Sequence, residues 1–359
     1  MSREVRHIGV KGYKSIESVE LEPGRVTVLV GANGAGKSNF IEAVELLGRI
    51  ADEELALEVG RRGGAATLLR AGAKGNASIS LRLEARANSL TNVYEAVLVP
   101  SRRGELVFRR ELIEFHDHDR FGRPWTEELG MGHRETLLPE AEKTGPLGLG
   151  GVAGHTLRIL RGCRVYHFHD TTPGAPVKQP GYASDAETLH PDANNLAAFL
   201  LRLRGDHPDE YRKIVRTVRS VAPFFRDFVL SEDASKRVSL RWTQIGSETV
   251  LPADALSDGT LRFICLSTLL LQPKPPALLV LDEPELGLHP FALTVLAELF
   301  RSASERSQVI AATQSVTFLD QFSFDELVVT ERVEGATALR RPDPEALAAW
   351  LEEYSPAEL

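Results

Sequence analysis

No apolar run in the 359 residues reaches the roughly 20 positions a membrane-spanning helix needs. The longest such stretch, 261–271, is cut by Arg262 and closed by Pro273. The opening segment, MSREVRHIGV, lacks an apolar core of the signal-peptide kind. There are only two cysteines, Cys163 and Cys265, both among apolar neighbours. That excludes a disulfide framework and leads to the expectation of buried thiols in a reducing cytoplasm. Heptads and internal repeats are also missing, so no long coiled-coil arm is expected. A formal charge of −8 excludes a surface that binds nucleic acid everywhere, although it leaves individual faces open.

What the sequence does have is a hydrophobic fraction of 43%, enough for a sizeable core. Residues 5–10 and 26–30 read as strands, the second running through glycines into a helix with Phe40, Ile41, Val44 and Leu47 on one face. Short alternating runs from Ser78 to Phe115 predict an antiparallel meander, and the Gly- and charge-rich stretch 116–154 reads as loop. A strand near 164–168 leads into a Pro/Gly-rich linker through Tyr182. Helices follow at 194–204 and 209–221, the latter stopped by Pro223, then a strand at 238–242. Beyond them comes a second alternating set: a helix from Gly259, a strand at 277–281, a helix from Phe291, and strands at 308–312 and 326–330. Buried strands alternating with helices predict a parallel sheet.

Three motifs carry chemistry. Gly31-Ala32-Asn33-Gly34-Ala35-Gly36-Lys37-Ser38 fits a phosphate-binding loop, whose backbone N–H groups curl around phosphates at the positive end of a helix. Asn33, Gly34, Gly36, Lys37, Ser38 and Asn39 are therefore the binding candidates, with Lys37 reaching the β- and γ-phosphates and Ser38 ligating Mg²⁺. The second motif, 278–284, is an apolar strand ending in Asp282 and Glu283, at the strand end where α/β sheets bind ligands. Asp282 is suited to hold Mg²⁺ through water, and Glu283 to polarise an attacking water. In the third, Leu256 to Thr260, Ser257, Asp258 and the Gly259 amide open a helix, which makes an anion site or simply a capped helix start.

The order of these motifs (phosphate loop, then LSDGT, then LLVLDEP, then a strand ending Thr313-Gln314-Ser315) resembles that of ABC ATPases. LSDGT is similar to their signature. The segment from Ile8 to Ile16 and the run GANGAGKSN resemble SMC, RecF and OLD-type heads more than transporter subunits. Tyr166 to Asp170, Asn194 to Ala197, DEPELGLHP and ATQS resemble a family of bacterial ATPases within that group. The resemblance implies an α/β P-loop NTPase, an ABC-type two-lobed head with a mixed, mainly parallel core sheet. Residues 1–185 would form lobe I with the β meander, and residues 186–359 lobe II. It also implies that Gln314 occupies a switch position usually held by His, an uncharged amide able to donate to the γ-phosphate. His169 or Asp170 stands in for the lid glutamine. The cofactors implied are ATP and Mg²⁺, and the assembly is an ATP-dependent head-to-tail homodimer with Ser257, Asp258 and Gly259 supplied in trans. No TOPRIM nuclease domain is expected, so a separately encoded nuclease or other effector is, in genome maintenance or anti-phage defence.

Two further constellations stand apart. His116-Asp117-His118-Asp119 reads as a metal site or a solvated loop. Arg212, Arg216 and Arg219, with Lys213, form a stripe that is either a DNA contact or a solvated helix face. Two other functions remain open: a transporter's nucleotide-binding subunit, which would travel with a membrane protein, and a nucleotide-dependent scaffold with negligible turnover.

Overall fold

The structure, a computed structural model, describes residues 4–70, 77–145 and 149–342. Strands β1 (Glu4–Tyr13), β2 (Ile16–Leu21) and β3 (Val26–Val30) precede helices α1 (Lys37–Ala51), α2 (Leu55–Arg61) and α3 (Ala65–Leu68). Next come β4 (Ile79–Ala87), β5 (Leu90–Pro100), β6 (Leu106–Asp117), β7 (Trp125–Gly130), α4 (Leu138–Thr144), α5 (Leu149–Arg161) and β8 (Cys163–Tyr166). Then β9 (Gly181–Tyr182), α6 (Leu196–Asp206), α7 (Pro208–Val221), β10 (Phe225–Phe228), β11 (Arg237–Val238), β12 (Arg241–Gln244) and β13 (Val250–Pro252) follow. The chain continues through α8 (Asp258–Leu271), β14 (Leu278–Asp282), α9 (Pro290–Ser304), β15 (Gln308–Thr313), α10 (Val316–Leu319), β16 (Leu327–Val333) and β17 (Ala336–Arg340).

A six-stranded sheet in the order β17-β16-β3-β15-β14-β8 forms the centre. Its pairs are parallel except β16 with β17. The central strands read as unbroken apolar runs because both faces are covered. Val28, Leu279, Leu281, Val309 and Ala311 pack into one core with residues of α6 to α9, while Leu29, Val280, Ile310 and Ala312 turn to α1 on the other face. That period of two pins the register, since a one-residue slip would exchange the two cores. Parallel pairing aligns Asp282 with Ala312 and Thr313 with Val30, so three strands end together at one edge. A second six-stranded sheet, β2-β1-β4-β5-β6-β7, is the expected antiparallel meander, with Ile79, Leu81, Leu83 and Ala85 alternating inward from β4.

Helix α1 forms because Phe40, Ile41, Val44, Leu47 and Ile50 bury one stripe while Glu42, Glu45 and Arg49 stay at its margin. Helix α7 starts on Pro208 with Asp209 and Glu210 in its first turn, buries Tyr211, Ile214, Val215 and Val218, and ends before Pro223. Arg212 pairs with Asp209 at 2.5 Å and Arg219 donates to the Arg226 carbonyl, while Arg212, Lys213 and Arg216 are all exposed on this stripe.

The loop expected over 116–154 is structured along most of its length. Strand β6 continues to Asp117, β7 pairs with it, and α4 and α5 follow; residues 146–148 lie outside the described residues. Glycines hid α5, whose Val152, Ala153, Thr156, Leu157 and Leu160 are nevertheless buried at helical spacing. The fully buried Glu111 pins the preceding segment by accepting from Tyr94, His133, Thr136 and the Leu137 amide. The strand expected at 238–242 is two short ones: β11 pairs with β9, and β12 with β10 and β13. The metal reading of 116–119 fails on geometry. His116 bonds the Phe121 carbonyl, His118 bonds Thr91, and among the described residues no group of three or more His, Cys, Asp or Glu is placed to hold a metal.

Candidate active site

The loop 31–36 joins β3 to α1, and its last residue, Gly36, caps the helix at φ 111° without a side-chain bond. Only glycine adopts that backbone without strain. Space is also closed there, because a Cβ on Gly36 would lie 2.0 Å from Thr337 Oγ1 and 3.0 Å from Ser15 Oγ. The hydroxyls of Thr337 and Ser15 share a 2.7 Å hydrogen bond, Thr337 donates to the Ala35 carbonyl, and Asn39 donates to Ser15. The loop is thus clamped between the β1–β2 turn and β17. Lys37 is buried, its ammonium donating to the carbonyls of Gly31 (2.5 Å) and Ala32 (3.2 Å). Burial lowers its pKa from the ordinary lysine value, opposed by the charges of Asp282, Glu283 and Glu285. Asn33, Gly34 and Ser38 are exposed.

Asp282 ends β14 beside this loop. Burial pushes its carboxyl above the usual range, against a hydrogen bond from Ser38 and the nearby rings of His167 and His169. His169 Nε2–H also donates to the Asp282 carbonyl at 2.8 Å. Asp170, by contrast, is turned to Thr172, which donates to it through both its amide and hydroxyl. Asp282 Oδ1 is buried with no hydrogen-bond partner. A buried orphan oxygen next to the Ser38 hydroxyl is a hard oxygen donor set of the kind Mg²⁺ takes. These two side chains fit the ion.

Glu283 stands at φ 44°, a left-handed conformation costing a non-glycine residue about 1–2 kcal/mol. Its amide donates to the Ala312 carbonyl at 2.9 Å, so β15 holds the turn. Glu283 Oε1 accepts from Gln314 Nε2 at 2.5 Å. Asp282, Glu283 and Gln314 are therefore gathered with Lys37 and Ser38 at one sheet edge.

Two residues at this edge are invisible to motif reading. Glu285 accepts the Thr313 hydroxyl and the Gln314 amide, bracing the segment that carries Gln314. Burial raises its pKa, and its Oε2 has no hydrogen-bond partner. Arg262, on α8, donates to the carbonyls of His169 (2.8 Å), Leu286 (3.1 Å) and Phe168 (3.3 Å). The signal for Arg262 was there: one charge inside an apolar helix run needs buried acceptors. Ser257 caps α8 by accepting from the Thr260 amide at 3.2 Å, and Ser257 and Asp258 are exposed. A Cβ on Gly259 would meet the Gly287 carbonyl at 2.4 Å, so the start of α8 lies directly against the turn after Glu283. Among the described residues no hydrogen bond joins Ser257–Thr260 to the loop 31–39 of the same chain.

A family profile described as "AAA domain, putative AbiEii toxin, Type IV TA system" matches residues 26–89 and 164–320, together well over half of the chain. The DNA replication and repair protein RecF of Nitrosococcus oceani is 38% identical over 45 residues, a match spanning 12% of this chain and 12% of that protein. Among solved structures, an Smc head domain with an extended coiled coil, bound to the C-terminal domain of ScpA and derived from Pyrococcus furiosus, superposes with a TM-score of 0.61 at 15% identity. It covers 98% of this chain and 99% of that one. An Smc head bound to the C-winged helix domain of ScpA gives 0.58 at 17% identity, over 96% and 99%. Among the described residues no helix is long and apolar enough to cross a membrane. The loop 31–36, the acid-tipped strand beside it and the extent of the profile match agree: the chain has the fold of an Smc head domain and belongs to this AAA-domain family.

Proposed function

We propose that the chain is a Mg²⁺-dependent ATPase whose turnover opens and closes a head-to-tail homodimer. The observation that carries this reading is the meeting of Ser38, Asp282, Glu283 and Gln314 at one sheet edge, with Asp282 Oδ1 buried and unpartnered. Lys37 and the backbone N–H groups of 33–38 bind the β- and γ-phosphates of ATP, with Asn39 bracing the loop through Ser15. Ser38 and Asp282 would hold Mg²⁺, which when bound neutralises charge on the phosphates. Glu283 orients the attacking water and accepts its proton. Gln314 fixes the Glu283 carboxylate, and its amide would donate to the γ-phosphate.

Exposed Ser257 and Asp258, with the Gly259 amide at the start of α8, form a surface ready to meet a second copy's γ-phosphate. ATP then sits between two copies, and its hydrolysis releases them to switch an attached partner. A DNA-related partner, in genome maintenance or anti-phage defence with a separately encoded nuclease, accords with the RecF and Smc likenesses. Phosphate release measured with Mg²⁺ and with EDTA, for the wild type and Asp282→Asn, tests the chemistry. Turnover that needs Mg²⁺ and falls at least about 100-fold in the variant is expected. Equal rates in all four conditions would remove Asp282 from the site.

A further inference from the structure

In the proposed dimer a phosphate approaches a carboxylate. The γ-phosphate would meet Ser257 and the Gly259 amide at the start of α8, and between them stands Asp258, exposed and paired with no cation among the described residues. A carboxylate suits the positive end of a helix, but beside a bound phosphate it is a like charge at close range. Lys37 is buried and serves its own copy's β- and γ-phosphates, so a compensating cation has to come from the surface around the phosphate loop. The hairpin of β16 and β17 carries one. It turns through Glu334 at φ 50° and Gly335 at φ 81°, between the paired Val333 and Ala336, which makes a short, stiff tip. Arg332 and Thr337 lie opposite each other on it and hold consecutive residues of the loop. Arg332 Nη1 donates to the Gly34 carbonyl at 3.4 Å, and Thr337 donates to that of Ala35 at 3.0 Å. Arg332 Nη2 donates to the Gly335 carbonyl at 2.9 Å. The adjacent Glu331 is taken by Arg340 at 3.2 Å, and among the described residues no carboxylate pairs with Arg332, which is exposed.

We propose that Arg332 of one copy pairs with Asp258 of the other in the ATP-bound dimer, an inference that rests on the head-to-tail reading. A copy that brings Ser257 to the γ-phosphate also brings the next residue, Asp258, to the loop 33–36, and Arg332 is the exposed cation hydrogen-bonded to that loop. The guanidinium fork keeps one nitrogen on the Gly335 carbonyl while presenting others to the carboxylate. The long bond to Gly34 is the one given up. The pair has two effects. It offsets the repulsion between Asp258 and the γ-phosphate, and it disfavours other registers of the two copies, in which that repulsion stands uncompensated. Head-to-tail symmetry forms the pair twice in each dimer.

The test is a double-mutant cycle on the full chain in the Glu283→Gln background. It compares Arg332→Gln, Asp258→Asn and the two together, with Arg332→Lys as the charge-preserving control and circular dichroism to show that each variant is folded. Light scattering over a range of protein concentrations, with Mg²⁺ and ATP, gives the dimer dissociation constant. Arg332→Gln is expected to raise it about 100-fold, about tenfold for each of the two pairs, because Asp258 is left uncompensated. Once Asp258→Asn is present, the same change should cost less than about threefold, and Arg332→Lys should stay close to the parent. Equal losses from Arg332→Gln with and without Asp258→Asn, or no loss in either, would overturn the pairing and leave the dimer standing. So would an equal loss of ATP affinity, by calorimetry, when Arg332→Gln is added to the Ser257→Arg protein, because Arg332 would then serve its own copy's nucleotide. A Glu283→Gln parent that stays monomeric with ATP would instead sink the head-to-tail reading, and the pairing with it.

Discussion

Replacing Gly36 with alanine separates two costs that the structure assigns to this position. The backbone there lies at φ 111°, which charges any L side chain about 1–2 kcal/mol. The new Cβ would also stand 2.0 Å from Thr337 Oγ1 and 2.9 Å from its methyl carbon, so β17 or the loop must move. Overpacking of this kind adds about 1–3 kcal/mol, giving about 2–5 kcal/mol in all. Gly34 is the internal control: its φ is 78° and nothing lies within 4 Å of its Cβ position, so Gly34→Ala bears only the first cost. Urea denaturation of Gly36→Ala, Gly34→Ala, Thr337→Ala and Gly36→Ala/Thr337→Ala, followed by near-ultraviolet circular dichroism, supplies the comparison. Thr337→Ala alone is destabilising through its lost bonds to Ala35 and Ser15, yet it removes the obstacle. The double variant should therefore be more stable than the sum of the singles by about 1–3 kcal/mol. Strict additivity, or equal losses for Gly34→Ala and Gly36→Ala, would refute the clamp between β17 and the phosphate loop.

Lys37→Ala should abolish ATP binding by calorimetry while leaving the melting temperature unchanged or higher, since burial already disfavours the lysine's charge. Unchanged affinity would remove the loop as the nucleotide site. Glu285→Gln should raise stability at neutral pH. The folded-state pKa of Glu285 is raised, so the wild type loses stability as pH climbs from the ordinary value of 4.5 toward the folded one. The variant's advantage should open over that window, hold at higher pH, and vanish below it; an advantage greatest in acid would contradict the sign. In the same variant, turnover should fall, because Gln314 is placed on Glu283 through the segment Glu285 braces.

How much of this was legible in the sequence varied with the range of the interactions. Glycine spacing, a preceding apolar strand and a following amphipathic helix made the loop at 31–38 readable, and an apolar run ending in two acids did the same for β14. Those signals are local. The clamp on Gly36 joins Ser15 to Thr337 across nearly the whole chain, and no local pattern announces it. The left-handed backbone of Glu283 is imposed by pairing with Ala312, so its own side chain gives no hint. Between β7 and β8 the reading failed because glycines diluted a real helical face in α5, and because the donors that satisfy Glu111 come from two distant segments, β5 and residues 133–137. The family profile also skips 90–163, which includes the misread stretch 116–154.

In the proposed mechanism, hydrolysis at Glu283 controls a dimer closed through Ser257. Glu283→Gln keeps the reach of the side chain toward Gln314 but removes the carboxylate that would take a proton from water. Its mass by light scattering, with ATP, with ADP and without nucleotide, is the decisive measurement, alongside Ser257→Arg in the same background. A dimer with ATP only, no detectable phosphate release, and a monomer under all three conditions once Ser257 is replaced are expected. A Glu283→Gln protein that turns over ATP at the wild-type rate, or whose mass ignores both nucleotide and Ser257→Arg, would contradict the mechanism.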